Sequence, residues 1–216
     1  MKRKKDLKIP FNWEERRPVL LDKFFYVPAV YEHVPKEFLF FSQEPKRPIL
    51  IEYCSGNGQW IAERAQQNPH IDWIAVEKRF DRARTIWLKI QRENIPNLVV
   101  ACSEALIFTK YYAPKVEEVY INFPDPWPKR RHSKHRLISL AFLEELLLIV
   151  APLGRVTCVT DHEDYAREMK DEFAKCPNWK FLFNVNEWPD YGRSFFKDLW
   201  LQRGRTINYL SYEKNG

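Results

Sequence analysis

Glycine is scarce in this chain, with six among 216 residues. No complete G-x-G-x-x-G is present, so the third glycine that packs a dinucleotide pyrophosphate is missing and a nicotinamide-dependent oxidoreductase is disfavoured. Cysteine is sparse too. Cys54, Cys102, Cys158 and Cys176 are scattered without C-x-x-C spacing, which argues against a disulfide framework and fits a reduced, cytoplasmic setting. Long apolar runs are lacking: Leu146 to Leu153, LLLIVAPL, is the longest and is too short to span a bilayer. The basic start MKRKKDLKIPFNWEERR has no apolar segment behind it, so it does not read as a signal peptide. No repeat or low-complexity tract appears. His132 and His135 are flanked by cations and make no convincing metal pair, so no metal is expected.

What is present is positive charge, net +6 with a pI near 9.1, which suits an anionic partner such as nucleic acid. It gathers at Lys2, Arg3, Lys4, Lys5 and Lys8, and again between Lys129 and Arg136. Residues 1–46 are rich in proline and aromatics and read as an arm packed on, or extending from, a single domain over 47–216. Strand and helix patterns alternate from there: strands at 48–54, 71–77, 97–105, 117–123 and 155–161, with helices at 59–69, 79–94, up to Tyr112, 137–154 and 162–175. Later β-rich pieces lie at 179–186 and 205–213. Such alternation predicts a doubly wound α/β fold, a mostly parallel seven-stranded sheet with an antiparallel edge strand. This is the nucleotide-methyltransferase variant of the Rossmann-like fold.

In such sheets the ligand lies across the carboxyl ends of the strands. Three acids sit there: Glu52, Glu77 and Glu104. The turn after the first strand carries Gly56 and Gly58, which let backbone approach a ligand closely. Glu77 follows at the spacing where an acid accepts ribose hydroxyls. An adenosine ligand without phosphates fits this end better than a dinucleotide. S-adenosylmethionine is the obvious one, with ribose on Glu77, adenine near Ser103 and Glu104, and the methionine end over Gly56 and Gly58.

The most informative stretch is INFPDPWPKRRHSKHR, Ile121 to Arg136. An apolar strand runs into Asp125, held between two prolines, then Trp127, then Lys129, Arg130, Arg131, Lys134 and Arg136. A stiffened carboxylate can grip a planar polar group and an adjacent aromatic can stack on it. Cations beyond can hold phosphates. Trp127 serves equally as a stacker or as packing beneath the loop.

Taken in order, IEYCSGNGQWI, IAVEKRF, ACSEA, INFPDPWPKRRHSKHRL and VTDHEDYA resemble the bacterial single-chain tRNA (guanine-N7)-methyltransferases, over about residues 48–213. The resemblance implies a class I S-adenosylmethionine-dependent methyltransferase that methylates a variable-loop guanine of tRNA. It implies donor contacts from Glu52, Glu77 and Glu104, a catalytic Asp125 where donor and guanine meet, and RNA contacts from Lys129 and Asp161. The family's T-K-F-E segment corresponds to Ser194-Phe195-Phe196-Lys197, where Ser194 replaces the hydroxyl and Lys197 reverses a charge. Its E-I-G-x-G-x-G loop is expected to have Tyr53 in place of the first glycine, a side chain that either crowds the methionine end or points into the sheet. The expected partner is tRNA, with no obligatory protein partner, as a monomer or homodimer. Two rival readings stand beside it: an enzyme acting on an exocyclic amine through N-F-P-D-P-W, and a tRNA-binding protein that has lost catalysis.

Overall fold

The structure, a computed structural model, describes residues 18–28, 41, 47–112 and 114–216. The basic residues from Lys2 to Lys8 and most of the 1–46 arm lie outside the described residues. A short hairpin comes first, β1 (Val19–Leu21) and β2 (Phe24–Tyr26). The alternation follows: β3 (Ile49–Tyr53), α1 (Gln59–Gln67), β4 (Asp72–Glu77), α2 (Phe80–Glu93), β5 (Leu98–Cys102), α3 (Ala105–Tyr111) and β6 (Val116–Asn122). Then come α4 (Leu140–Ile149), β7 (Val150–Thr160), α5 (Glu163–Ala174), β8 (Trp179–Val185), α6 (Phe195–Gln202) and β9 (Asn208–Lys214).

The strands form one sheet in the order β1-β2-β5-β4-β3-β6-β7-β9-β8. Strands β2 to β7 run parallel, and β9 is antiparallel to both β7 and β8. Both faces are covered, which is why β5 and the interior of β4, between Asp72 and Glu77, read as apolar runs and both strands are buried at every position. On one face α3, α4 and α5 bring Phe108, Phe142, Leu146, Met169 and Phe173 against the strands. On the other, α1 and α2 bring Trp60, Ile61, Ala83 and Ile86. Helix α2 shows how sequence produces this: Ala83, Ile86 and Ile90 form its buried stripe, and Asn94 ends it in the left-handed conformation at φ 49°.

The doubly wound, mostly parallel architecture with an antiparallel edge is the expected one, with one correction to the strand count. The sheet has nine strands rather than seven, because Phe24–Tyr26 pairs in parallel with Val100–Cys102 and carries β1 with it. The antiparallel edge is made by the two late strands, with β9 against β7 and β8 closing the sheet. The helix expected over 137–154 also differs. It ends at Ile149, and β7 starts at Val150, which pairs with Val116 ahead of an irregularity in the ladder. Pro152 is accommodated there because the sheet pairing resumes only at Arg155.

The chain reverses direction across the sheet at β3, between β4 and β6. A crevice outside the carboxyl ends of these strands is the natural ligand position.

Candidate functional site

The loops that leave β3 and β6 meet at this crevice, and their backbones are unusual. Cys54, Gly56, Gly58, Phe123 and Trp127 all have positive φ, at 61°, 56°, 69°, 49° and 41°. Three of the five are not glycine, and such strain clusters where a backbone must present groups to a ligand. The geometry also corrects the register of the glycine loop. Counting from Glu52, the residue in the left-handed conformation at the first glycine of the pattern is Cys54, and Tyr53 holds the place of the isoleucine. Tyr53 does not crowd the crevice. Strand alternation turns it to the opposite face, where it is fully buried, bonds Thr109 Oγ1 at 2.6 Å and packs edge-on to Phe142 at 5.4 Å.

Glu52 faces the other way and is 2% exposed. Its Oε1 accepts from Asn122 Nδ2 at 2.7 Å. Asn122 Oδ1 in turn accepts from the Tyr191 hydroxyl. Glu52 Oε2 is buried without a hydrogen-bond partner among the described residues. Burial pushes the Glu52 carboxyl up to about 7, opposed by its bond from Asn122 and by the nearby Ser55 hydroxyl, which itself donates to the Glu52 main-chain carbonyl, and assisted by the nearby charge of Glu77. Glu77, at the end of β4, accepts from Gly56 N–H at 2.9 Å through Oε2 and from Arg79 N–H at 2.9 Å through Oε1. It therefore holds the glycine loop closed, and each oxygen keeps lone-pair capacity. Burial raises its carboxyl above the usual range against those two backbone bonds. Ser103 is buried behind it, its N–H on the Glu77 carbonyl at 3.1 Å, while Glu104 starts α3 exposed and takes no cap bond. Glycine is needed at position 58, since a Cβ there would lie 2.7 Å from Ile86 Cγ1.

Asp125 hangs over this cradle on the loop after β6. Its side chain is 64% exposed and its Oδ2 meets Lys78 Nζ at 3.2 Å. Lys78 follows Glu77 directly, so the acid of one strand end and the cation that touches Asp125 are neighbours in sequence. Across the crevice, Phe196 of α6 approaches within 3.3 Å of where a Cβ on Gly56 would stand, and its ring centroid is 6.1 Å from that of Phe123.

The basic segment forms a 3-10 helix, Arg130–His135. Lys129, which precedes it, and Arg131 on it are exposed, and the Arg130 side chain lies outside what the structure describes. Arg136 departs from the phosphate-gripping role expected of it. Its side chain is 8% exposed, pairs with Glu168 and lies 5.0 Å over the Tyr165 ring. Its Nε donates to the Pro126 carbonyl at 2.7 Å and its second terminal nitrogen to that of Trp127 at 3.3 Å. Arg136 thus ties the proline loop to α5. Trp127 is half-buried, with its ring against His135 at 5.3 Å and His132 at 5.9 Å.

Two positions expected to face substrate, Asp161 and Ser194, follow β7 and precede α6 respectively. Asp161, 8% exposed on its side chain, pairs with Arg205. It lines a polar cavity of about 650 Å³ with His162, Asp164, Asn186, Arg205 and Asn208. Ser194 caps α6, accepting from Lys197 N–H at 3.1 Å. Lys197 turns its ammonium to the Gly192 carbonyl at 3.2 Å and lies 5.9 Å from the Tyr209 ring centroid, and burial lowers its pKa. Sequence reasoning assigned no role to Tyr191, Lys78 or Phe196. Lys78 carried a signal, since it adjoins the predicted ribose acid; Tyr191 and Phe196 lie in a stretch without periodicity.

The crevice has the parts a nucleoside-bearing methyl donor requires. The buried, unpartnered Glu52 oxygen fits an ammonium group, the positive-φ glycine loop allows close backbone approach, and Glu77 has capacity for hydroxyls. A family model described as a putative methyltransferase matches residues 46–199. The chain is 38% identical, over 97% of its length and 96% of the relative's, to the tRNA (guanine-N(7)-)-methyltransferase of Chlamydia muridarum. It is 30% identical to that of Roseobacter denitrificans, covering 77% of this chain and 73% of the relative. Among solved structures it is similar to the 16S rRNA methyltransferase KamB, with TM-score 0.58 and 16% identity over 78% of this chain and 88% of that one. The [4+2]-cyclase SpnF matches at TM-score 0.57 and 10% identity, over 78% and 76%. At such identities the likeness shows a fold alone.

Proposed function

The chain belongs to the tRNA (guanine-N7)-methyltransferase family, and on that footing we propose that it methylates N7 of the variable-loop guanine of tRNA, using S-adenosylmethionine. The observation that carries this reading is the extent of the likeness to relatives of that name, 38% identity over 97% of the chain. The donor supplies an electrophilic methyl on a sulfonium centre. Guanine N7 has a free lone pair at neutral pH, so the protein need supply no general base, and its tasks are orientation and charge stabilisation.

Glu52 and the loop at Gly56 and Gly58 would hold the amino-acid end of the donor. Glu77 would hold its ribose, and Ser103 and Glu104 its adenine. Asp125, exposed on a stiff turn above them, is placed to accept from the guanine N1–H and N2–H₂ edge or to face the purine ring as positive charge develops. Lys129 and Arg131 would hold phosphates. Asp161 and Ser194 would contact the RNA, and the reading puts the protein with tRNA in the cytoplasm.

Two observations weigh against the rival readings. An amino-methyltransferase would use the Asn122 amide on an exocyclic amine, yet both Asn122 polar atoms are engaged inside the protein. The inactive reading rested on Tyr53 and Lys197; Tyr53 is buried on the opposite face of the sheet, and the Lys197 ammonium is engaged by the Gly192 carbonyl.

The test is methyl transfer from labelled S-adenosylmethionine to unmodified tRNA, with the product mapped by borohydride–aniline cleavage. Cleavage in the variable loop is expected. Asp125→Ala should lower kcat by on the order of a hundredfold or more. It should leave folding intact, because its ion pair with Lys78 is exposed and contributes little. Tight tRNA binding without transfer by the unaltered protein would overturn the reading.

A further inference from the structure

The sequence between α5 and β9 has no counterpart of the donor-binding motifs, yet besides Phe196 at the glycine loop it reaches Glu52 through the side chain of Tyr191. Tyr191 sits in a single 3-10 turn, Pro189–Tyr191, and is 3% exposed. Its ring stacks on Trp60 with centroids 5.2 Å apart, and Trp60 Nε1 donates to the Tyr191 carbonyl at 2.6 Å. Its hydroxyl donates to Asn122 Oδ1. With the hydroxyl donating, the Asn122 oxygen is taken up, and an ionised Glu52, which can only accept, takes the other end of the amide. The amide nitrogen is then left for Glu52 Oε1, at 2.7 Å. Glu52 is held by one oxygen while Oε2 stays unpartnered and buried.

We propose that Tyr191 is a positioning residue for the methyl donor: through the Asn122 amide it holds the Glu52 carboxylate ionised and aimed, so that its free oxygen receives the donor's ammonium group. This deepens the methyltransferase reading and rests on it. Three residues make the line Tyr191–Asn122–Glu52, drawn from the turn before α6, from β6 and from β3. It links the segment carrying Ser194 and Phe196 to the donor cradle.

The charge state of Glu52 is where the arrangement is felt. The titratable groups facing it are Glu77 from β4, Cys54 from the loop after β3 and Tyr191 itself. Burial and Glu77 oppose ionisation, while the Asn122 bond and the nearby Ser55 hydroxyl favour it. Without the tyrosine hydroxyl the Asn122 amide is free to turn its oxygen toward Glu52, which removes the stabilising donor.

The experiment is calorimetric binding of S-adenosylhomocysteine to the full-length protein across roughly pH 5.5 to 9. That product carries the same ammonium group and needs no turnover. For the unaltered protein, affinity should fall as pH drops below about 7, where Glu52 takes up a proton. Tyr191→Phe keeps the ring on Trp60. It should move that bend upward by about half to one pH unit, giving roughly 3- to 10-fold weaker binding on the acid side and little change well above the bend. Asn122→Ser breaks the same line from its middle and should shift the bend in the same direction, which keeps the test open should the tyrosine variant not fold. In a Glu52→Gln background the tyrosine change should have almost no further effect. An unmoved bend, or an equal loss of affinity at all pH values and in the Glu52→Gln background, would mean that Tyr191 merely packs, and would overturn the proposal. Failure of the unaltered protein to bind at any pH would instead overturn the methyltransferase reading, and the proposal with it.

Discussion

A cysteine in the left-handed backbone at φ 61° carries strain that a glycine would not, on the order of 1 kcal/mol. Cys54→Gly is therefore expected to raise stability by up to about 1 kcal/mol, read as a higher urea midpoint at constant slope. A lower midpoint would show that packing of the Cys54 thiol outweighs the strain. Gly58→Ala tests the other side of the loop. It combines φ 69° with a Cβ 2.7 Å from Ile86 Cγ1, so it should destabilise by about 2 kcal/mol or more and weaken donor binding as the loop shifts. The two loop positions were unequally legible. Gly56, Gly58 and Glu77 were readable because the carboxyl ends of parallel strands are where such residues act. Cys54 was hidden by a one-residue error in register, and only its backbone angle shows that it holds the glycine's place. Tyr191 was illegible for a different reason: its partner Asn122 is 69 residues away, and no local pattern links a tyrosine in a turn to a buried amide.

The basic 3-10 helix and the proline loop before it are separable in function because Arg136 belongs to the second and not the first. Arg136→Ala removes a buried guanidinium bonded to two loop carbonyls and to Glu168. We expect it to destabilise by roughly 2–3 kcal/mol and to depress methyl transfer through a displaced Asp125. Lys129→Ala and Arg131→Ala change exposed cations instead. Each should leave thermal stability unchanged and reduce the salt dependence of tRNA affinity by about one unit of slope, without changing which nucleotide is methylated. An unchanged slope for both would remove this helix from the RNA interface. Elements with a periodic stripe, such as α2 and α5, fell where the sequence placed them. The run LLLIVAPLG did not, because a short apolar stretch suits a buried helix and a buried strand alike. The β-branched Val150 is where one becomes the other. Helix α6 was left unassigned since none of its residues is buried, so its apolar side chains form no inward stripe to read.

Burying a carboxylate near the end of the central strand of the sheet has a consequence for the stability of the entire fold. The Glu52 carboxyl has its ordinary value near 4.5 in the unfolded chain and about 7 in the folded one. Between those values the folded state binds the proton and the unfolded state does not, so stability falls as pH rises through this window. The contribution is complete below the unfolded value and lost above the folded one. A shift of this size corresponds to something on the order of 3 kcal/mol. The unliganded protein should thus lose stability from about pH 5 to about pH 8 through this group. Glu52→Gln cannot ionise, so it should match the unaltered protein near pH 5 and exceed it near pH 8. At about 2–4 °C per kcal/mol for a chain of this length, the gap in Tm would be several degrees. Differential scanning calorimetry of both proteins at the two pH values measures it. A gap that does not widen with pH would show that Glu52 titrates normally, and that its burial is relieved by solvent. A widening gap that S-adenosylhomocysteine closes would show a protein that keeps part of its folding free energy in reserve at the donor site, released when a cation arrives to meet the carboxylate.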